Sequence, residues 1–130
     1  MAFLNFDANS VPEPSFDPLP AADFLVWITE SDIPTDSDGN QKVAVTMEVI
    51  EPQQYAGRKL WDSFTLENQQ NPKWAETGRQ LLATMCRAIG IMSPRETEEL
   101  HGIPFHVRVE VDTWRDGSLH NKVVARWSTS

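Results

Sequence analysis

The chain has 130 residues, of which 40% are hydrophobic and 23% are charged, and its formal net charge is −8. This size suits one domain with its own core, and no run of about 18 apolar residues predicts a transmembrane helix. The N-terminus lacks the basic start and apolar core of a signal peptide, and the single cysteine excludes an internal disulfide framework. The sequence therefore predicts a cytoplasmic protein with no membrane partner.

The negative charge is concentrated in the first third of the chain. Residues 1–41 contain eight acidic residues and no Lys or Arg, whereas residues 42–130 contain eleven acidic and eleven basic residues. The overall charge disfavours a polyanionic partner, but the balanced second part permits one. Binding of nucleic acid would have to depend on particular side chains.

Residues 1–20 are predicted to form an extended arm because they contain four prolines. The arm carries Phe3, Phe6 and Phe16. These rings could pack on the protein's own body, cross to a neighbouring protomer of a homo-oligomer, or help the acidic arm to cover a binding groove. Residues 21–130 are predicted to form a single domain.

Three strands with alternating apolar and polar residues are predicted after the arm, at residues 23–29, 42–50 and 59–66. Turn-forming residues at 36–40 separate the first two. The predicted inward residues are Phe24, Val26 and Ile28, then Val43, Val45, Met47 and Val49, then Leu60, Phe64 and Leu66, with Asp62 as a polar exception.

The apolar residues change to a helical period at residues 73–90. Asn71 is the predicted N-cap, Pro72 the first helical residue and Gly90 the residue that ends the helix. A short second helix is predicted to begin at Ser93, with a capping box to Glu96, and to end at His101 and Gly102. The predicted apolar stripe of the long helix consists of Trp74, Gly78, Leu81, Leu82, Met85 and Ile89.

Two more strands are predicted at residues 103–112 and 122–127, joined by a turn at 116–118. Their inward residues are predicted to be Phe105, Val107, Val109 and Val111, then Val123, Ala125 and Trp127. Three strands, a helix and two strands is the order of the five-stranded oligonucleotide-binding barrel. The sequence therefore predicts a mainly β, OB-fold-like antiparallel barrel with a helix between strands 3 and 4, although an α+β sandwich would give the same order.

A tryptophan beside a lysine on the solvated face of the third strand is poorly explained by core packing. Trp61 and Lys59 suit a planar, negatively charged ligand, and single-stranded nucleic acid is one such ligand. Trp74 and Trp127 are predicted to be structural. The other candidate nucleic-acid-binding residues are Trp27 and Arg108 on strands and Arg58, Trp114, Arg115 and Lys122 in loops or at their ends.

No motif in the sequence predicts a metal site, a cofactor or an enzyme. The three histidines and Cys86 lack ligand spacing, and the turn at 36–40 has a misplaced glycine for a calcium loop. No nucleophile elbow or phosphate-binding glycine loop is present. A metal-dependent nuclease built from Glu48, Asp62 and Lys59 ranks third among the functional hypotheses.

Several segments resemble a bacteriophage family long catalogued as a domain of unknown function. They are residues 3–9 (Phe-Leu-Asn-Phe-Asp-Ala-Asn), 55–62 (Tyr-Ala-Gly-Arg-Lys-Leu-Trp-Asp), 86–90 (Cys-Arg-Ala-Ile-Gly), and Leu100 together with 102–111. The resemblance implies a small protein encoded among phage replication and recombination genes, similar to OB-fold single-stranded-DNA-binding proteins. It also implies partners such as a phage recombinase, a RecA-like ATPase or a helicase.

The leading hypothesis is therefore a single-stranded DNA-binding protein without sequence specificity that acts in phage DNA replication or recombination. The main alternative is an OB-like adaptor or inhibitor that uses its acidic N-terminal region to mimic DNA and to bind a basic protein.

Overall fold

The computed structural model of the chain describes residues 18–129. The prediction of a mainly β chain with one main helix between the third and fourth strands is confirmed. Residues 1–17 of the predicted arm lie outside the described residues, and so do Phe3, Phe6 and Phe16. The elements in chain order are β1 (Ala22–Asp32), β2 (Gln41–Glu51), β3 (Lys59–Glu67), α1 (Pro72–Ile89), β4 (Phe105–Thr113) and β5 (Leu119–Trp127), with short 3₁₀ helices at Gln53–Tyr55 and Thr97–Leu100.

The five strands form one antiparallel sheet in the order β3-β2-β1-β4-β5. Among the described residues β3 and β5 share no ladder, so the sheet is not closed into a complete barrel. Helix α1 packs against both of these edge strands. Across the gap, Asp62 of β3 and Arg126 of β5 form an ion pair with Nη2 and Oδ2 2.5 Å apart.

The core lies between the inner face of the sheet, α1 and the Thr97–Leu100 turn. The predicted alternation is confirmed in β1 and β2, where every predicted inward residue is buried. Leu19, just before β1, is also buried, and its backbone N–H and C=O both bond the side-chain amide of Asn121 at 2.8 Å. This contact fixes the point at which the chain enters the domain.

The predicted apolar stripe of α1 is wrong in part, because the helix is turned so that its small residues meet the sheet. Trp74 is 62% exposed and Leu81 is 41% exposed. A Cβ atom at Gly78 would lie 2.1 Å from the carbonyl oxygen of Thr65, so the helix and β3 approach backbone to backbone there. Large side chains cannot occupy that contact. The buried residues of α1 are Ala75, Gly78, Met85, Cys86, Ala88 and Ile89.

The helix boundaries are close to those predicted, but the caps differ. Pro72 begins α1 and Gly90 ends it in the left-handed conformation (φ 93°), as expected. Asn71 makes no side-chain capping bond, and its backbone N–H donates to Asn68 Oδ1 at 2.8 Å. The predicted helix from Ser93 is only the single turn Thr97–Leu100, with its capping box between Glu96 and Glu99.

In β1, β2 and β5, a register shift changes the sheet face toward which the following side chains point. The register skips Thr29 in β1, Ile50 in β2 and Val124 in β5. A bulge of this kind re-aims the following side chains. The predicted common face of Val123, Ala125 and Trp127 is therefore wrong: Val123 faces the core opposite Val109, whereas Trp127 lies opposite outward-facing His106. Val111, predicted inward, is 40% exposed because the β1 ladder ends at Val109.

Candidate nucleic-acid interface

The sheet face opposite the core, here called the outer face, carries the Trp61 side chain in an exposed position. Trp61 is 68% exposed on β3, opposite Thr46 of β2. Lys59, two residues earlier on the same face, lies opposite Glu48 and pairs with it, with Nζ and Oε2 3.2 Å apart. Local alternation explains this arrangement, since Leu60 between them is buried. The exposed indole and its neighbouring lysine thus lie where the sequence predicted them.

Trp27 extends this surface across the sheet. It is half-buried on β1 and lies opposite Glu48, so Glu48 is flanked by Lys59 on one strand and Trp27 on the other. The strands are about 4.8 Å apart, so Trp27 and Lys59 are separated by roughly two strand spacings. Two of the predicted indoles therefore share one face with a lysine.

A second aromatic cluster on the outer face joins β1, β4 and β5. His106 and Trp127 lie opposite each other with nearly parallel rings, 5.6 Å between centroids and 16° between planes. Leu25 is the neighbour of His106 on β1. These side chains line an open cavity of about 450 Å³, whose full lining is Asp23, Leu25, Glu51, Pro52, His106 and Trp127.

Arg108, another predicted residue, borders this cluster. Its guanidinium carbon is 5.7 Å from the centroid of the Trp127 ring, and its Nε donates to Asp23 Oδ1 at 2.9 Å. The hydrogen bond and the charge of Asp23 raise the pKa of Arg108, which therefore keeps its charge. The cation is retained beside the aromatic cluster, but one of its donors is already used.

The hairpin between β4 and β5 presents the remaining loop candidates. Trp114 is 57% exposed and stacks on His120, with 3.7 Å between centroids and 16° between planes. Arg115 follows it in the turn and is exposed. Lys122 lies opposite Glu110 in the hairpin ladder. One face of the Trp114 indole is thus covered by His120, and the residue as a whole remains exposed.

Arg58 lies apart from the outer-face cations in the turn before β3. Its carbonyl accepts a bond from the N–H of Val49 at 2.9 Å, and its N–H donates to the carbonyl of Tyr55 at 3.0 Å. The residue is half-buried. Its backbone therefore has a clear structural role in shaping the turn that leads to Lys59 and Trp61.

Carboxylates balance the cations of the outer face. Glu48 pairs with Lys59 and Asp23 with Arg108. The loop between β1 and β2 adds Asp36, whose carboxylate accepts bonds from the backbone N–H groups of Asp38 and Asn40 and from the Asn40 side chain. These bonds lower the pKa of Asp36 and keep it ionised. The outer face is thus aromatic, and the charges of Lys59 and Arg108 are balanced by protein carboxylates.

The three residues of the nuclease hypothesis do not come together. Glu48 and Lys59 lie on the outer face, whereas Asp62 points inward and is 15% exposed against Arg126. Desolvation raises the pKa of Asp62, and the charge and hydrogen bonds of Arg126 oppose that rise. Arg126 also lies over the Phe64 ring, 4.9 Å from its centroid. The Asp62–Arg126 pair therefore joins the two sheet edges on the core side.

One polar cluster was missed by the sequence analysis. Ser31 Oγ lies 2.7 Å from Thr97 Oγ1 and 2.6 Å from His101 Nε2. The register shift at Thr29 turns Ser31 toward the inside of the sheet, opposite Val45, and no local pattern signals this. The cluster ties the Thr97–Leu100 turn to β1. Within residues 18–129 no group of His, Cys, Asp and Glu is arranged to hold a metal ion.

None of the helices within residues 18–129 combines the length and the hydropathy that a bilayer-spanning helix needs. No curated protein matches the sequence. A family model described as "Protein of unknown function (DUF669)" matches residues 4–127, nearly the full length. The resemblance to a family catalogued as a domain of unknown function is thereby confirmed, and the chain belongs to this family.

Proposed function

We propose that this protein binds single-stranded DNA without sequence specificity, through the outer face of its sheet. The observation that carries the proposal is the 68% exposed indole of Trp61 beside Lys59. The resemblance of the sequence to phage proteins supports a role in phage DNA replication or recombination in the host cytoplasm. In that role the protein works beside a recombinase or helicase.

The outer face supports the proposal because it offers several places for bases to stack. Trp61, Trp27 and Trp127 lie on it, and Trp114 lies on the adjoining hairpin. Base–aromatic stacking contributes about 1–3 kcal/mol per base and accepts any base, because every base has a π-face. A surface of this kind binds strands mainly through stacking and needs few phosphate contacts.

The substitution Trp61→Ala is expected to weaken binding of an oligothymidine by about 1–3 kcal/mol, since one stacked base is lost. The measurement is fluorescence anisotropy of a labelled strand at low salt. The matched control is Trp74→Ala, which removes an equally exposed indole (62%) from α1, outside the outer face. Equal losses in both variants, or no binding by the parent protein, would contradict the proposal.

The Lys59–Glu48 pair gives a second prediction, in which a substitution improves binding. Glu48→Gln frees the ammonium group of Lys59 for phosphate, so the affinity is expected to rise at low salt. The log–log dependence of affinity on salt is expected to steepen by about 0.7 for one more neutralised phosphate. Glu67→Gln, which breaks the exposed pair with Arg79, is the control and should change neither quantity. If the salt dependence of affinity is the same in Glu48→Gln as in the parent protein, Lys59 does not contact a phosphate of the bound strand.

The pairing of the outer-face cations also favours a second candidate, a protein-interaction adaptor or inhibitor. Lys59 and Arg108 are both neutralised, and exposed carboxylates at Asp36 and Asp38 follow β1. Such a surface could bind a basic partner protein in place of DNA. This candidate predicts that neither single- nor double-stranded probes shift in a gel, and that a basic protein co-purifies at low salt and is released at high salt.

A further inference from the structure

From the cavity between β1, β4 and β5 we infer a nucleobase subsite that prefers bases carrying an exocyclic amino group, with cytosine over thymine as the simplest case. This inference rests on the proposed function and adds a base preference to one position of the bound strand. The cavity measures about 450 Å³, within the range of about 300–1,000 Å³ usual for small-molecule sites.

The walls of the cavity suit a flat, weakly polar ring. Leu25 and Pro52 supply apolar surface, and His106 and Trp127 supply two nearly parallel aromatic rings. Planar rings pack favourably against such surfaces in stacked or edge-on geometry. The cavity therefore suits a base better than a phosphate, because a phosphate would lie beside the carboxylates of Asp23 and Glu51.

The polar groups at the rim of the cavity are mainly acceptors. Glu51 and Asp23 both line it, and Asp23 uses one oxygen for Arg108. Among residues 18–129, no hydrogen bond or ion pair engages the Glu51 carboxylate, so both of its oxygens are available. An ionised carboxylate only accepts hydrogen bonds. It therefore pairs with the amino group of cytosine, adenine or guanine and repels the carbonyl oxygen that thymine places at the same position.

Glu51 reaches the cavity because of a register shift. Simple alternation from buried Val49 would turn Glu51 toward the core, but the register skips Ile50 and sets Glu51 opposite Leu25 on the outer face. The shift at Val124 likewise brings Trp127 opposite His106. Two separate bulges thus direct a carboxylate and an indole into one cavity, as bulges near binding sites commonly do.

The test compares labelled oligodeoxycytidine and oligothymidine of equal length by anisotropy, at slightly alkaline pH where cytosine is neutral. The parent protein is expected to bind the cytidine strand about fivefold more tightly or better, the lower end of what one good side chain–base contact provides. Glu51→Gln should remove this preference, because an amide both donates and accepts. Glu30→Gln, an exposed β1 carboxylate outside the cavity, should keep it and corrects for the change in net charge.

Trp127→Ala provides an independent readout of the same site. It is expected to weaken binding of the cytidine strand more than that of the thymidine strand, because it removes the ring beside the preferred base. Equal affinity of the parent for both strands overturns the subsite and leaves single-strand binding intact. A preference that survives Glu51→Gln overturns the assignment to this cavity. Failure of both strands to bind overturns the proposed function and the subsite with it.

Discussion

Replacing Arg126 with methionine is expected to lower the free energy of unfolding by about 3 kcal/mol, because it leaves the buried carboxylate of Asp62 without its cation. The side chains of Arg126 and Asp62 are only 4% and 15% exposed, so water does not replace the lost partner. The substitution also removes the contact of the guanidinium with Phe64. Urea unfolding at neutral pH measures the effect.

The loss of unfolding free energy caused by Arg126→Met is expected to become smaller as the pH is lowered. Burial holds the pKa of folded Asp62 above its usual value, and removing Arg126 removes the main influence that lowers it. A carboxyl whose folded pKa is raised stabilises most at pH values below its unfolded pKa, and that stability is lost as the pH rises through the folded pKa. The difference between variant and parent should therefore become smaller as the pH falls from neutral toward the unfolded pKa of a carboxyl group.

A double substitution separates the buried charge from the loss of packing. Asp62→Asn together with Arg126→Met removes both charges and should recover much of the loss seen in Arg126→Met. If the double variant is as unstable as the single one at every pH, packing of the arginine and not the charge of Asp62 accounts for the loss.

Gly78→Ala is expected to destabilise the protein by about 1–3 kcal/mol, the usual cost of overpacking. The added methyl group would meet the backbone of Thr65, with its oxygen only 2.1 Å away, so α1 must move off β3. Helix propensity alone predicts the opposite sign, a gain of about 1 kcal/mol for alanine over glycine. The sign of the change in thermal or urea stability therefore shows which effect is larger. A loss means that the clash with Thr65 outweighs the higher helix propensity of alanine, and a gain means the reverse.

The control for Gly78→Ala is Thr77→Ala, the neighbouring exposed helix position. It improves helix propensity without adding an atom at the contact with β3, so a change within about 0.5 kcal/mol is expected. A stabilised Gly78→Ala variant would mean that α1 tolerates a shift away from β3.

Local alternation predicted most of the fold. Strands β1 and β2 have the predicted inward residues, and Trp61 is exposed as its position in β3 implied. Each of these conclusions depends only on side chains at neighbouring positions of one strand. The ends of α1 were also predictable, since Pro72 and Gly90 determine backbone conformation by themselves.

The features that the sequence did not predict depend on partners distant in the chain. The exposure of Trp74 follows from the close approach of α1 to β3 at Gly78. The periodicity of apolar residues in α1 does not predict this contact. The outward position of Trp127 follows from the register of β4 and β5, where one residue is skipped. A bulge leaves no mark in the apolar pattern when small and branched residues surround it.

The same reason limits what could be predicted of the candidate site. Residue type and alternation identified Trp61, Lys59, Trp27 and Arg108 as outward. The carboxylates that neutralise the two cations come from other strands, and Asp23 is 85 positions from Arg108 in the chain. Their pairing depends on strand order. The aromatic character of the surface was thus predictable, but its charge balance was not.

The cluster of Ser31, Thr97 and His101 implies that one hydroxyl group couples the turn at Thr97–Leu100 to β1. A hydroxyl has a single proton, so Ser31 Oγ donates to at most one of Thr97 Oγ1 and His101 Nε2. Both contacts nevertheless depend on this one oxygen atom. Its removal would therefore break two side-chain contacts between the turn and β1 at once.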